Sequence, residues 1–140
     1  AAAAAVYTTN KFKAAPLIVT EQNIANGQAQ AFAINSGIAN AGMGKVGMEQ
    51  AQQMSDWTAE TLGIAADDVI VASTGVIGMP LPMEKIHSGV VKAAGELKAD
   101  GGHEAAYAIM TTDTKKKEIA VTVELGGKTV TIGGRRYLNQ

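Results

Sequence analysis

An amphipathic segment from Met48 to Leu62 lies between two compact apolar runs, and that order constrains the fold more than any other feature of the chain. Met48, Ala51, Met54, Ser55, Thr58 and Leu62 recur at three- and four-residue steps, with Glu49, Gln52, Gln53, Asp56 and Glu60 on the other faces, and Gly63 closes the pattern as a helix stop. Upstream, Gln30 to Asn35 reads as a strand ending in Ser36 and Gly37, and downstream Val69 to Ser73 reads as a buried strand entered from Asp67 and Asp68. A further helix carries Ile86, Val90, Ala93 and Leu97 on one face, with Pro82 near its start and Asp100-Gly101-Gly102 past its end. The order strand, helix, strand, helix implies an α/β domain.

Around this centre the signals are shorter. Ala5 to Thr8 is β-prone and reads as a strand, Ala14 to Ile24 as a helix with Pro16 in its first turn and Gly27 beyond its end, and Glu104 to Met110 as a third helix. Glu118 to Glu124 alternates as a strand and Gly126-Gly127 turns it into Thr129 to Ile132, a hairpin. A hairpin is antiparallel, so the expected class is α/β with a mixed sheet packed with helices, in one domain spanning residues 1–140.

Composition excludes several functions. Twelve basic and thirteen acidic residues leave a formal net charge of -1, with no basic stripe interleaved with aromatics, which argues against nucleic acid as a partner. Lys115 to Lys117 reads as a solvated turn before a strand. With no cysteine, thiol catalysis, disulfides and cysteine-ligated metals are out, and a reducing cytoplasm is permitted. Ala1 to Ala5, Val6 and Tyr7 lack the basic start of a signal peptide, and no apolar stretch is long enough for a membrane span. The expected location is cytoplasmic.

The chemistry-bearing candidates each have a plain structural rival. Val71 to Gly78 (Val-Ala-Ser-Thr-Gly-Val-Ile-Gly) delivers Thr74 and Gly75 from a strand into a glycine-rich turn, where a hydroxyl and a backbone N–H can hold the oxyanion of an acyl-transfer intermediate; the same residues also simply make turns. Thr111 and Thr112 beside Asp113 can bind a carboxylate or amino group, or cap a helix end. Gly42-Met-Gly44-Lys-Val-Gly47 matches a dinucleotide fingerprint, but Ser36 to Ala41 separate it from the preceding strand, and the next strand ends in Ser73-Thr74-Gly75 where a ribose-binding acid is wanted. His87 and His103 lack a metal-ligand spacing and take surface or capping roles, and the adjacent Asp67 and Asp68 mark a loop edge. No Gly-x-Ser-x-Gly elbow is present, so a self-contained hydrolase finds no support.

Tyr7-Thr-Thr-Asn10 with Ala14-Ala-Pro-Leu17, Asn35-Ser-Gly-Ile-Ala-Asn-Ala41, Ser73-Thr-Gly-Val-Ile-Gly78 and Ala108-Ile-Met-Thr-Thr-Asp-Thr114 follow one another in an order that resembles the ornithine acetyltransferase family, the glutamate N-acetyltransferases of arginine biosynthesis (the ArgJ family). The resemblance covers roughly Ala5 to Gly134. It implies an Ntn-like layered α/β fold and a protein that cuts itself into an α chain, represented here, and a β chain whose first threonine is the nucleophile. The implied reaction is ping-pong transfer of acetyl from N-acetylornithine to glutamate. Thr74 and Gly75 match the family's oxyanion-hole pair and Thr111 its substrate-binding threonine. No cofactor is implied, with acetyl-CoA as an alternative acetyl donor, and the implied assembly is an oligomer of α and β chains. The family carries a further strand before the first block, and an Ala-Lys-Gly-Ser-Gly segment where Arg135-Arg-Tyr-Leu-Asn-Gln140 stands here; Ile38 and Gly42-Met43 also depart from its commonest forms. The isolated polypeptide is therefore expected to be inactive. The alternative is a catalytically dead structural or assembly domain of the same fold.

Overall fold

The computed structural model describes residues 1–135, so the sequence tail beyond Arg135 lies outside the described residues. The chain forms two compact units, Ala1–Leu97 and a second beginning at Lys98.

In the first unit the elements are α1 (Ala15–Asn23), β1 (Ala31–Ile38), α2 (Gly44–Leu62), β2 (Val69–Val76) and α3 (Met83–Gly95). β1 and β2 pair in parallel, from Ala31↔Val69 to Ile38↔Val76, with α2 as the crossover between them. Ala33, Val69 and Val71 meet Ala15 and Val19 of α1 and Ala51, Met54 and Ala59 of α2 in the core, which Leu81 completes. The alanines let the helices lie close on the ladder, and Met54 fills the largest buried position. At the end of α2, Gly63 turns left-handed (φ 67°) and the Ile64 N–H reaches back to the Ala59 carbonyl at 3.0 Å.

Two polar side chains of α1 close the edge of β2 that β1 leaves open. The Thr20 hydroxyl donates to the Val71 carbonyl at 2.9 Å and accepts the Val71 N–H at 3.0 Å. Asn23 Nδ2 donates to the carbonyls of Val69 (2.9 Å) and Ala66 (3.1 Å). A buried strand edge with unpaired backbone groups would be costly and adhesive, and these contacts remove it. On the ladder face away from the helices, Phe32 and Ile34 are 69% and 41% exposed.

The second unit holds α4 (Gly102–Ala108) and a hairpin of β3 (Glu118–Leu125) and β4 (Lys128–Arg135), closed between Leu125 and Lys128 by Gly126 and Gly127 at φ 57° and 76°. Lys98 pairs with Glu104 at 2.9 Å, His103 with Glu118, and Lys117 with Asp113.

The expected helices, central strands and hairpin are all present, and the α/β class with both parallel and antiparallel pairing is observed. The parallel pair and the antiparallel pair form separate two-stranded ladders among the described residues. The expected strand at Ala5 to Thr8 does not form. Ala5, Val6 and Thr8 are exposed, so the segment buries no face, and just past it the Thr8 hydroxyl accepts the Asn10 N–H at 3.1 Å and Asn10 Oδ1 accepts the Phe12 N–H at 2.9 Å, turning the backbone. β1 runs three residues past Asn35 and β2 three past Ser73, because Ser36, Gly37 and Ile38 pair with Thr74, Gly75 and Val76; Thr74 and Gly75 thus lie in the strand and not in the turn after it. α2 begins a turn early, at Gly44, and α4 ends at Ala108 rather than Met110.

Candidate functional site

The carboxyl ends of β1 and β2 lie side by side, the place where open parallel sheets present their ligand sites. Two glycines meet there at one register, Gly37↔Gly75, with φ of 125° and 129°. A Cβ on Gly75 would stand 2.2 Å from the carbonyl carbon and oxygen of Gly37 and 2.7 Å from the Ile38 nitrogen, so the backbones approach as closely as glycine alone permits. A Cβ on Gly37 would meet nothing within 4 Å among the described residues. The glycine kink also breaks the strand alternation: Ile38 packs against the core, although an unbroken strand would turn it outward with Phe32 and Ile34.

Thr74 is fully buried, whereas the next residues, from Gly75 to Gly78, are exposed. The turn that follows β2 is pinned along its length. Ala39 N–H donates to the Val76 carbonyl at 2.8 Å, and Gly78 N–H (φ 79°) donates to the Ala41 carbonyl at 3.1 Å. Farther on, the Gln50 carboxamide of α2 accepts the Leu81 N–H at 3.1 Å and donates to its carbonyl at 3.4 Å. Beneath the turn, Asn35 Nδ2 donates to the Ile38 carbonyl at 2.7 Å, and the Ser73 hydroxyl is buried with no partner among the described residues. The result is an exposed peptide backbone on a fixed support, the property needed by donors that must be in place before charge develops.

The remaining sequence candidates take definite places. Thr111 and Thr112 are exposed in the bend between α4 and β3, and Asp113 beside them is buried against Lys117. Thr111 thus lies in the second unit, while Thr74 and Gly75 lie in the first. Of the run Lys115 to Lys117, expected as a solvated turn, Lys115 is exposed, whereas Lys116 and Lys117 are half-buried and Lys117 pairs with Asp113. His87 stacks on Trp57 with ring centroids 4.4 Å apart, and His103 pairs with Glu118. Asp68, in the short turn before β2, accepts Gln30 Nε2 at 2.6 Å. Among the described residues no group of three or more His, Asp or Glu side chains gathers as a metal cage. In the glycine fingerprint only Ala39, Asn40 and Ala41 separate β1 from Gly42, and a Cβ on Gly47 would stand 2.7 Å from Asn40 Oδ1. Gly47 therefore makes room for a side chain of its own fold. Outside the site, the Tyr7 phenol is pushed above its usual pKa, first by burial and then by the negative charge of Glu21.

Reading the residues one by one missed Gly37 and Asn40. Both stand in the Asn35–Ala41 block, yet a Ser-Gly after a strand is an ordinary strand ending, and only the register shows Gly37 against Gly75.

Comparison with known proteins agrees with the order of the sequence blocks. The family model described as the ArgJ family matches residues 1–136. The chain is 52% identical over 132 residues to the arginine biosynthesis bifunctional protein ArgJ of Symbiobacterium thermophilum, covering 94% of this chain and 33% of that protein. The protein of the same name from Caldanaerobacter subterraneus subsp. tengcongensis is 51% identical over 130 residues, with 93% and 32% covered. The chain thus spans about a third of the length of these curated relatives. Among solved structures, the arginine biosynthesis bifunctional protein of Bacillus halodurans superposes with a TM-score of 0.88 at 46% identity, covering 97% of this chain and 72% of that one. Ornithine acetyltransferase of Mycobacterium tuberculosis, complexed with ornithine, gives a TM-score of 0.87 at 38% identity, with 96% and 72% covered.

Proposed function

The chain belongs to the ArgJ family, and from that premise we propose that it is the α-chain part of an ornithine/glutamate N-acetyltransferase. In this reading the Thr74–Gly75 segment supplies the oxyanion hole, Thr111 contributes to substrate binding, and a β chain brings the nucleophilic threonine. That threonine's hydroxyl attacks the acetyl carbonyl of N-acetylornithine and gives its proton to the β chain's free α-amine or a nearby group. The carbonyl π electrons move onto oxygen, where the donors of Thr74 and Gly75 hold the charge. Collapse breaks the C–N bond, ornithine leaves with a proton on its amine, and the acetyl group stays as a threonine ester. Glutamate's amine then attacks the ester through a second oxyanion, giving N-acetylglutamate and the free hydroxyl.

The observation that supports this most is the Gly37–Gly75 contact, which holds an exposed turn in a conformation closed to other residues at the ends of two parallel strands. Two facts favour a second chain. Similar stretches of this chain cover 72% of the solved relatives' chains but only 33% of a curated relative, so the solved chains are less than half as long. Parallel strands are ordinarily covered on both faces, and here Phe32 and Ile34 stand open, as do Ile119, Val121 and Ile132 of the hairpin.

The test is acetyl transfer from N-acetylornithine to glutamate by the full-length protein containing this segment. Transfer that falls about a hundredfold or more in Thr74→Ala is the expected result. Absence of transfer by the wild-type protein, with both chains present, rejects the reading and leaves a structural domain of the same fold.

A further inference from the structure

We propose that Asn40 is a positioning residue for the Val76–Gly78 turn, holding the backbone beyond Thr74 and Gly75 in place without itself touching substrate. The claim for catalysis rests on the acetyltransferase reading above; the claim for the turn's geometry does not.

Asn40 is 1% exposed and, among the described residues, is the non-glycine residue with a left-handed backbone, at φ 49°. Asparagine tolerates that conformation better than most residues, and here the conformation has a use. It reverses the chain just after β1, so that Ala39 offers its N–H to the Val76 carbonyl while Ala41, two residues on, offers its carbonyl to the Gly78 N–H. Both anchors of the exposed turn therefore flank one kinked residue. Ile77, between them, approaches Gly42 in the same loop: a Cβ there would be 3.8 Å from Ile77 Cγ2.

The side chain then fixes the kink. Asn40 Nδ2 donates to the Gly47 carbonyl in the first turns of α2 at 2.9 Å, and the Asn40 carbonyl accepts the Ala15 N–H at the start of α1 at 3.3 Å. Asn40 Oδ1 is buried without a partner among the described residues and faces Gly47, where an added Cβ would come within 2.7 Å. A fold that keeps an orphaned buried acceptor and a glycine inside a helix gives up stability at both positions. The return is a carboxamide seated in one place, tying α1, α2 and the β1 exit to the turn that follows β2.

The experiment uses the full-length protein with Asn40→Ala, Asn40→Gly and Gly47→Ala, read by hydrogen exchange of peptides spanning residues 72–79 and by steady-state kinetics of acetyl transfer on folded protein well below its melting temperature. Asn40→Ala removes both the carboxamide and the tolerance for the kink. It is expected to speed exchange at Gly78 about tenfold or more and to lower kcat ~10–100-fold with KM changed less than about threefold, because a misplaced donor weakens the transition state rather than substrate binding. Asn40→Gly keeps the left-handed path and should recover a large part of that loss. Gly47→Ala should reproduce the loss in the wild-type background, and on top of Asn40→Gly it should cost less than it does alone, since the Asn40 carboxamide is gone and only the contact with Met43 Cβ, at 2.9 Å, remains. Unchanged exchange at residues 72–79 in Asn40→Ala and Gly47→Ala overturns the positioning claim whatever the kinetics. Faster exchange with unchanged kcat and only a lower melting temperature overturns its bearing on catalysis. A wild-type protein with no transfer refutes the acetyltransferase reading instead, and the exchange data still decide whether Asn40 sets the turn.

Discussion

Substituting alanine for each of the two glycines that face one another should give unequal damage although their backbone angles are nearly the same. Gly37 and Gly75 have φ of 125° and 129°, so alanine at either position carries a backbone strain of about 1–3 kcal/mol. At Gly37 that is the whole effect, because its Cβ would meet nothing within 4 Å among the described residues. At Gly75 the Cβ would lie 2.2 Å from the Gly37 carbonyl group and 2.7 Å from the Ile38 nitrogen. These are backbone atoms that no rotamer change can move aside, so the strands must part and give up ladder bonds at their carboxyl ends. Overpacking of this kind adds about 1–3 kcal/mol or more, making the loss for Gly75→Ala about 2–6 kcal/mol against about 1–3 kcal/mol for Gly37→Ala. Denaturant midpoints at unchanged slope, measured on the full-length protein, give the comparison. A Gly37→Ala variant as unstable as Gly75→Ala, or more so, would refute the reasoning, since strain alone would then explain both.

Thr20→Val should destabilise the protein by about 2–4 kcal/mol, because it leaves the N–H and the carbonyl of Val71 buried and unpaired where one hydroxyl now serves both; a loss under about 0.5 kcal/mol in denaturant unfolding would mean that α1 does not seal the β2 edge. Tyr7 should titrate above the ordinary tyrosine value, seen as a late component of the ultraviolet absorbance titration that Tyr7→Phe removes. The sign follows from burial: the folded state holds the phenol proton more tightly than the unfolded state, so its contribution to stability is intact below pH ~10 and declines as pH rises beyond it. A component at or below the ordinary value would contradict the assignment.

How much of this was legible in the sequence depends on how local each signal is. The periodic face of α2, the Gly63 stop and the Gly126-Gly127 turn are short-range patterns, and each element formed where its pattern stood. The extension of β1 through Ser36, Gly37 and Ile38 was not legible, because those residues are turn-formers in isolation and become strand only through pairing with Thr74, Gly75 and Val76. The failed strand at Ala5 to Thr8 is the converse: its β-propensity was local, but a strand needs a face to bury, and Ala5, Val6 and Thr8 stay exposed. In the site, Thr74 and Gly75 stood out as a motif expected just past a strand, whereas β2 runs through both of them to Val76. The roles of Gly37, Asn40 and Gly47 appear only when chain segments far apart in sequence are placed within bonding distance.

The central claim is that Thr74 and Gly75 stabilise an oxyanion while a separate chain is acylated. It is tested most directly by intact mass spectrometry of the full-length protein, quenched at intervals after mixing with N-acetylornithine. The account predicts two chains, a gain of one acetyl group on the chain that begins with threonine and none on the chain described here, and a gain about a hundredfold slower in Thr74→Ala. Acetylation of this chain, or an equal rate in the variant, would contradict it.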